Sequence, residues 1–195
     1  MAENQIRIDG LSSTALPVSA PSTAPLPTYG LMNPTYKGVY VFSIGDVPGV
    51  VAAQNHLSLF NPVGNTKTLI FGGVFISSFS VAAITLTSNS MRGFRITTAS
   101  AGTLQTNSTA VAEFQSTMPT SSAEVRIANP TVTLGPAMFS SPLQVGNGVS
   151  SPVHSILAPP GSGAFTFAPG EGLVLQTATG DVDSRWNISA VWAEV

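Results

Sequence analysis

Short runs of β-branched and aromatic residues, separated by glycine, proline, asparagine and serine, fill the chain from Lys37 onward. The residues in the runs favour strands, and those between them favour turns. No segment has the apolar spacing of an amphipathic helix, and 106–118, the best place for a helical turn, is rich in Thr and Ser. The pattern predicts an all-β domain, either an antiparallel β-sandwich or a jelly roll. The predicted strands are Gly38–Ser43, Val50–Ala53, His56–Phe60, Thr68–Ser77, Val81–Ser88, Gly93–Ala99, Ala123–Ala128, Thr131–Leu134, Ala137–Val145, Val153–Leu157, Ala164–Ala168, Leu173–Thr177 and Arg185–Val195.

The last predicted strand has the clearest alternation of apolar and polar residues. Positions 186, 188, 190 and 192 carry Trp, Ile, Ala and Trp, whereas positions 185, 187 and 189 carry Arg, Asn and Ser. Because successive side chains of a strand point to opposite faces, one face holds both tryptophans. We therefore predict that Trp186 and Trp192 enter the core.

The N-terminal segment differs from the rest of the chain. Residues 1–36 contain five prolines among Ser, Thr, Ala and Leu, and no charged residue lies between Gly10 and Tyr36. Such a composition favours an extended chain that cannot join a sheet ladder. We predict two parts, an N-terminal arm over 1–36 and a β domain over 37–195. The arm's apolar residues favour docking on a neighbouring subunit, although a disordered leader has a similar composition.

Charged residues are scarce throughout the sequence. There are 7 Lys+Arg and 9 Asp+Glu, which make up 8% of the residues, against roughly 25% in a typical soluble domain. A neutral exterior suits packing against other protein, although a β-rich domain from a source that disfavours charge would look similar. A second charge-free tract runs from Gly135 to Gly170. We predict that this tract and the arm are contact surfaces.

The same composition argues against several partners. No cluster of Lys or Arg provides the basic surface that a phosphate backbone requires, so nucleic acid is not the expected partner. The longest apolar window, Thr68–Leu86, is interrupted by glycine and serine and is not expected to span a membrane. Residues 1–7 lack the pattern of a secretory signal.

Residues that could form a metal site are few. The chain has no cysteine, and its two histidines, His56 and His154, have no metal-binding spacing and are predicted to be surface or interface strand residues. Asp181 and Asp183 could form half of a calcium shell, but a turn explains them equally well. We predict no metal site and no cofactor.

Catalytic patterns are also missing from the sequence. No Gly-x-Ser-x-Gly motif is present, and Gly64–Thr68 lacks the upstream glycine and following helix of a phosphate-binding loop. No spacing brings Glu113, Glu124 or Glu171 together as a catalytic pair. Pro62–Lys67 is predicted to be a hairpin turn, with Glu171 in an exposed reversal. We predict no catalytic residues and expect a protein that is not an enzyme.

Two strand-turn-strand stretches carry a resemblance to viral proteins. Leu57–Leu69 resembles an "L-x-N-P-x-G-S-G-K" hairpin of small structural proteins of tailed bacteriophages, with Asn65-Thr66 in place of Ser-Gly. Ala164–Gln176, with Ala-Pro-Gly-Glu at its centre, resembles a turn common in β-sandwich virion components. Both stretches also describe a favourable turn between apolar strands.

The resemblance implies a capsid decoration, or cement, protein of β-sandwich or jelly-roll type. Such a protein would be a virion structural protein on the outer surface of the capsid, often a trimer, and its partner would be the major capsid protein. The alternative is a phage tail or fibre head domain that binds a host receptor or carbohydrate. Exposed aromatic residues would favour that alternative, and the predicted burial of Trp186 and Trp192 argues against it.

Overall fold

The structure, a computed structural model, describes residues 38–49, 53–82, 89–105, 111–113, 118–143, 154–157, 165–177 and 182–195. Within these ranges the chain forms strands and connecting turns and no helix. The predicted arm lies outside the described residues, as does most of the predicted strands Val50–Ala53 and Val81–Ser88. The strands are β1 Gly38–Pro48, β2 Gln54–Phe60, β3 Leu69–Ser80, β4 Asn89–Ser100, β5 Thr103–Gln105, β6 Val111–Glu113, β7 Glu124–Ile127, β8 Thr131–Leu143, β9 His154–Leu157, β10 Thr166–Phe167, β11 Gly172–Thr177 and β12 Ser184–Glu194.

Two antiparallel sheets pack face to face. Sheet A has the order β10-β3-β12-β1-β6, and β9 also pairs with β3; sheet B has the order β5-β7-β2-β11-β4-β8. The main core lies between them and contains side chains from both, such as Trp192 and Ile188 of sheet A and Leu173 and Leu175 of sheet B. The predicted all-β fold is confirmed, as a β-sandwich.

The predicted alternation of the last strand is confirmed in β12. Trp186, Ile188, Ala190 and Trp192 are buried, whereas Asn187 between them is exposed. β12 lies between β3 and β1 in sheet A, so its inward face occupies the middle of the core. The Trp192 ring stacks on Tyr40 of β1 with centroids 5.8 Å apart.

One long strand replaces two predicted ones at the edge of sheet B. β8 runs through Gly135 and Pro136, where the sequence predicts a break between Leu134 and Ala137. The strand continues because β8 is an edge strand, and an edge tolerates a proline that cannot donate a ladder hydrogen bond. Its pairing with β4 shifts register between Phe94 and Ile96, opposite these residues.

The segment 106–118, for which the sequence predicts no strand, contains a short one. Its residues 111–113 form β6, which pairs with Tyr40–Phe42 of β1 at the edge of sheet A. Strand pairing with β1, which a local propensity cannot reveal, decides the conformation there. Residues 106–110 and 114–117 lie outside the described part of the chain.

Candidate functional site

The two strand-turn-strand stretches Leu57–Leu69 and Ala164–Gln176 both form corners between the two sheets. The turn at Val63-Gly64 joins β2 of sheet B to β3 of sheet A, and the turn at Pro169-Gly170 joins β10 of sheet A to β11 of sheet B. The prediction that Pro62–Lys67 is a hairpin turn is therefore wrong. A turn sequence specifies the reversal of the chain, but pairing with distant strands decides which sheet the next strand enters.

Asn61 joins the two corners. Its backbone N–H donates to the carbonyl oxygen of Glu171 at 2.9 Å, and its carbonyl oxygen accepts from Gly170 N–H at 2.8 Å. Its buried side-chain amide donates to the carbonyl oxygens of Lys67 at 2.9 Å and Phe167 at 3.0 Å. The two corners consequently lie side by side at one end of the sandwich.

Glu194 is the centre of a polar network beside these corners. Its carboxylate is fully buried and forms an ion pair with Lys67 Nζ at 2.5 Å. It also accepts hydrogen bonds from the hydroxyls of Ser121 at 2.7 Å and Ser122 at 2.8 Å and from the backbone N–H of Ser122 at 2.7 Å. This network ties the end of β12 to the corner before β3 and to the segment that leads into β7.

The environment of Glu194 explains its ionisation. Burial alone would raise the pKa of this carboxyl, but hydrogen bonds from Lys67, Ser121 and Ser122 outweigh burial and lower its pKa. Burial, followed by the charges of Glu194 and Glu113, raises the pKa of Tyr40 to about 12. The Tyr40 hydroxyl donates to the carbonyl oxygen of Pro119 at 2.6 Å. The contacts of Glu194 and Tyr40 thus join β12 and β1 to the segments before β3 and β7.

The described residues of the charge-free tract lie together on one side of the sandwich. They belong to β8, which is an edge of sheet B, and to β9 and β10, which pair with β3 along an edge of sheet A. The rings of Phe139 in β8 and Phe165 beside β10 are 6.3 Å apart, which shows that both edges are on the same side. We call this surface, formed by residues 135–143, 154–157 and 165–170, the neutral side.

The neutral side exposes small and apolar groups. Pro136, Ala137, Ser140 and Ser155 are exposed, and Leu134, which precedes the tract within β8, is 46% exposed. The margin is formed by Arg95 of β4, which pairs with Glu171 at 2.8 Å, so their charges offset each other. Edge strands usually carry charged residues that prevent pairing with other chains. Here Pro136 and the shifted register of β8 protect the edge from pairing with strands of other chains. Charge does not oppose contact of this edge with another protein.

The histidines do not form a shared site. His56 is 1% exposed, and its Nε2 lies 2.8 Å from Thr177 Oγ1, so the prediction of a surface residue is wrong for it. A distant partner in sheet B, which the local sequence does not show, allows this polar ring to be buried. Burial lowers the pKa of His56 to about 4. The backbone of His154 pairs with Ile76 of β3.

The candidate acidic residues are also separated. Glu124 forms an ion pair with Arg126 at 2.8 Å in β7, Glu171 pairs with Arg95, and Glu113 lies on the other sheet. Glu171 follows the predicted turn and is half-exposed. In the described part of the chain no three His, Asp or Glu residues come together to hold a metal ion. Asp181, half of the calcium pattern, lies outside the described residues.

The sequence predictions did not include Glu194 as a buried polar residue, although the alternation of the last strand indicates it. Position 194 continues the alternation of 186, 188, 190 and 192, which all face the core. An acidic residue at an inward position predicts a buried partner, here Lys67. No comparable signal identifies His56, because its burial depends on residues far along the chain.

Comparisons with protein-family models, with curated proteins and with solved structures gave no match. Over the residues that the structure describes, no helix is long and apolar enough to cross a membrane.

Proposed function

We propose that this chain is a non-enzymatic virion structural protein, a decoration protein that binds the major capsid protein on the outer surface of a phage capsid. The observation that carries the proposal is the neutral side, where the uncharged edges of both sheets meet. The resemblance of the two corner stretches, Leu57–Leu69 and Ala164–Gln176, supplies the kind of partner.

The neutral side has the chemistry of a protein contact surface. Interface centres are depleted of charged residues and contain exposed apolar groups. Exposed Leu134, Pro136 and Ala137 lie in succession on β8, with no charge from Gly135 onward in the tract. Burying these groups against a capsid subunit would remove apolar area from water without desolvating an ion.

A capsid lattice presents the same subunit many times, so a surface that binds each subunit weakly is sufficient for attachment. Several weak contacts made by one assembly increase the apparent affinity through high effective concentration. We therefore propose that the protein acts as a homo-oligomer, a trimer by the resemblance, on a shell that presents the same subunit many times. The arm over 1–36 would add a second, extended contact for each subunit.

Cosedimentation with shells assembled from the cognate major capsid protein tests this function. We expect saturable binding at a fixed ratio to capsid subunits, with little change between low and high salt, because screening acts only on charges. Light scattering on the free protein should give an oligomer. A strictly monomeric protein that does not sediment with the shells would contradict the proposal.

Deletion of residues 1–36 tests the arm separately. The shortened protein should occupy fewer sites on shells because each subunit loses a contact, while its thermal unfolding midpoint stays unchanged, since the core lies within the β domain. Unchanged occupancy of the shells would contradict the proposed role of the arm. The neutral side is tested separately, by substitutions at its own edge.

A further inference from the structure

The three central strands of sheet A carry uncharged side chains at the centre of the side that faces away from the core. β12 lies between β3 and β1, and the residues that alternate with its buried positions face outward together with their register partners. We call this surface the outer face; it is formed by Val41, Ser43, Phe75, Ser77, Ser189 and Val191. None of these residues belongs to the neutral side.

The charged residues of the three strands lie away from the outer face. Glu194 is directed inward and is fully buried in its network with Lys67. Asp46 and Arg185 pair with each other at 3.2 Å, near the end of β1 at Pro48. The outer face is therefore uncharged although it extends across three strands.

Phe75 is an exposed aromatic residue in the interior of the sheet. It lies on β3, which has paired strands on both sides, and it is 40% exposed. Its register neighbours are Ser189 on β12 and Ser155 on β9, which are too small to cover an aromatic ring. Val41 and Val191, which pair across β1 and β12, are half-buried and extend the apolar area. Solvated sheet faces usually carry polar residues at such positions, so the outer face has the composition of a contact surface.

The absence of charge favours contact between copies of the same chain. Where identical surfaces meet around a symmetry axis, a residue near the axis faces its own copy, and a charge there would oppose the same charge. Contacts with a different protein commonly use complementary charges instead. The hydroxyls of Ser43 and Ser189 are hydrogen-bonded to each other at 2.9 Å, so burying them leaves neither hydroxyl without a partner. The outer face is thus compatible with a second copy of itself.

The outer face is also large enough for a stable contact. β3, β12 and β1 contain 12, 11 and 11 residues, so at about 3.4 Å per residue they are roughly 37–41 Å long. Because neighbouring strands are about 4.8 Å apart, the strands across sheet A give a face on the order of 700 Å². Two such faces, packed together, fall within the total of about 1,200–2,000 Å² that specific interfaces bury.

We propose that the outer face is the contact through which copies of this chain associate, with Phe75 of each copy packed against Phe75 and Val191 of another around the symmetry axis. This inference rests on the proposed homo-oligomer and specifies its interface. It leaves the neutral side, at the edges of the two sheets, free for the capsid. Self-association and capsid binding then use separate surfaces.

Replacement of Phe75 in the full chain tests the contact. Phe75→Glu places a charge opposite its own copy and should raise the dissociation constant of the oligomer at least about tenfold, as measured by light scattering over a dilution series. Phe75→Leu stays apolar and should retain the association. Val182→Glu is the matched control, because Val182 is 55% exposed in the turn before β12, and it should leave the oligomer unchanged.

Distances between copies give a second test, which does not depend on how the Phe75 variants fold. The chain has no cysteine, so Ser77→Cys and Leu104→Cys each accept one spin label per copy. Ser77 lies on the outer face, whereas Leu104 lies on sheet B, on the other side of a sandwich whose sheets are about 10 Å apart. Pulsed electron paramagnetic resonance should therefore give a label-to-label distance roughly 20 Å shorter for Ser77 than for Leu104.

Three results would overturn the inference. The first is an unchanged oligomer of Phe75→Glu whose circular dichroism is that of the folded protein. The second is a Ser77 distance that equals or exceeds the Leu104 distance. Either result, obtained with an oligomer that still sediments with capsid shells, would leave the proposed capsid function standing. The third is a monomeric free protein, which would overturn the inference and the proposed homo-oligomer together.

Discussion

At the scale of single residues, Glu194 shows how a buried charge is accommodated. Its carboxylate is removed from water entirely, which would be costly without compensation. Lys67 supplies the opposite charge, and Ser121 and Ser122 occupy the remaining acceptor positions. The network holds together the end of β12, the corner before β3 and the segment that leads into β7. It forms only when these three segments are in their folded positions.

Replacing Glu194 should show how much the stability of the fold depends on this network. We expect Glu194→Gln to lower the free energy of unfolding by about 2–4 kcal/mol, because charge-assisted hydrogen bonds are lost and Lys67 is left without its partner. Chemical denaturation at neutral pH measures this. The matched control is Glu124→Gln, which breaks the more exposed pair with Arg126 and should cost less than about 1 kcal/mol. Equal losses in the two variants would contradict the central role of Glu194.

His56 makes a separate prediction about acid stability. Its folded-state pKa, about 4, lies below its ordinary value of 6.5, so the unfolded state binds a proton first as the pH falls. Stability is therefore complete above pH 6.5 and decreases toward pH 4, by about 3 kcal/mol in all. Glu194, whose pKa is lowered, adds its loss at still lower pH.

Unfolding measured between pH 6.5 and 5 isolates the contribution of His56, because carboxyl groups contribute little there. His56→Gln should flatten the pH dependence in this window, since the new side chain does not titrate. A wild-type protein with constant stability across this window would show that His56 is not buried in its neutral form.

At the scale of elements, the corners decide how the two sheets are connected. Gly64 and Gly170 have φ values of 91° and 88°, which glycine adopts without strain, so each turn can reverse tightly. Asn61 then holds the two turns together through backbone and side-chain hydrogen bonds. A single residue thus coordinates two connections that are far apart in sequence.

Asn61→Ala should be strongly destabilising. We expect a loss of about 2–3 kcal/mol, because the buried carbonyl oxygen of Phe167 and the partly buried carbonyl oxygen of Lys67 lose their donor. Thermal and chemical unfolding measure the loss. Asn187→Ala is the control: that asparagine is exposed on β12, bonding the Asp46 N–H, and should cost less than about 1 kcal/mol. A small effect at Asn61 would mean that the corners are held by the sheets alone.

The elements also show which features the sequence can predict. Period-two alternation identifies the inward face of β12 because it depends only on strand geometry, and the burial of Trp186 and Trp192 follows from it. The pairing of strands is different, because Leu57–Leu69 looks the same whether it forms a hairpin or a corner. The burial of His56 depends on Thr177, which lies 121 positions away. Such contacts are set by the whole fold and leave no local pattern.

At the scale of the whole molecule, the described residues of the second charge-free tract form one surface, the neutral side. The sequence alone predicts a contact tract over Gly135–Gly170, and its described residues do lie along one side of the sandwich, at the edges of both sheets. The sequence could not reveal that β8, β9 and β10 meet there, because their proximity depends on the packing of the two sheets.

A pair of leucines at opposite edges of sheet B tests the central claim. Leu134 on β8 is 46% exposed beside the neutral side, and Leu104 on β5 is 44% exposed at the other edge. Both tolerate a charge in the free protein, since both side chains already reach water. Only a charge at Leu134 would have to be desolvated in the proposed contact.

The decisive measurement is cosedimentation of Leu134→Glu and Leu104→Glu with capsid shells, after thermal unfolding has shown both to be folded. We predict that Leu104→Glu saturates the shells like the unmodified protein, whereas Leu134→Glu loses at least about tenfold in affinity. Undiminished binding by Leu134→Glu, or an equal loss in both variants, would contradict the assignment of the neutral side as the capsid-binding surface.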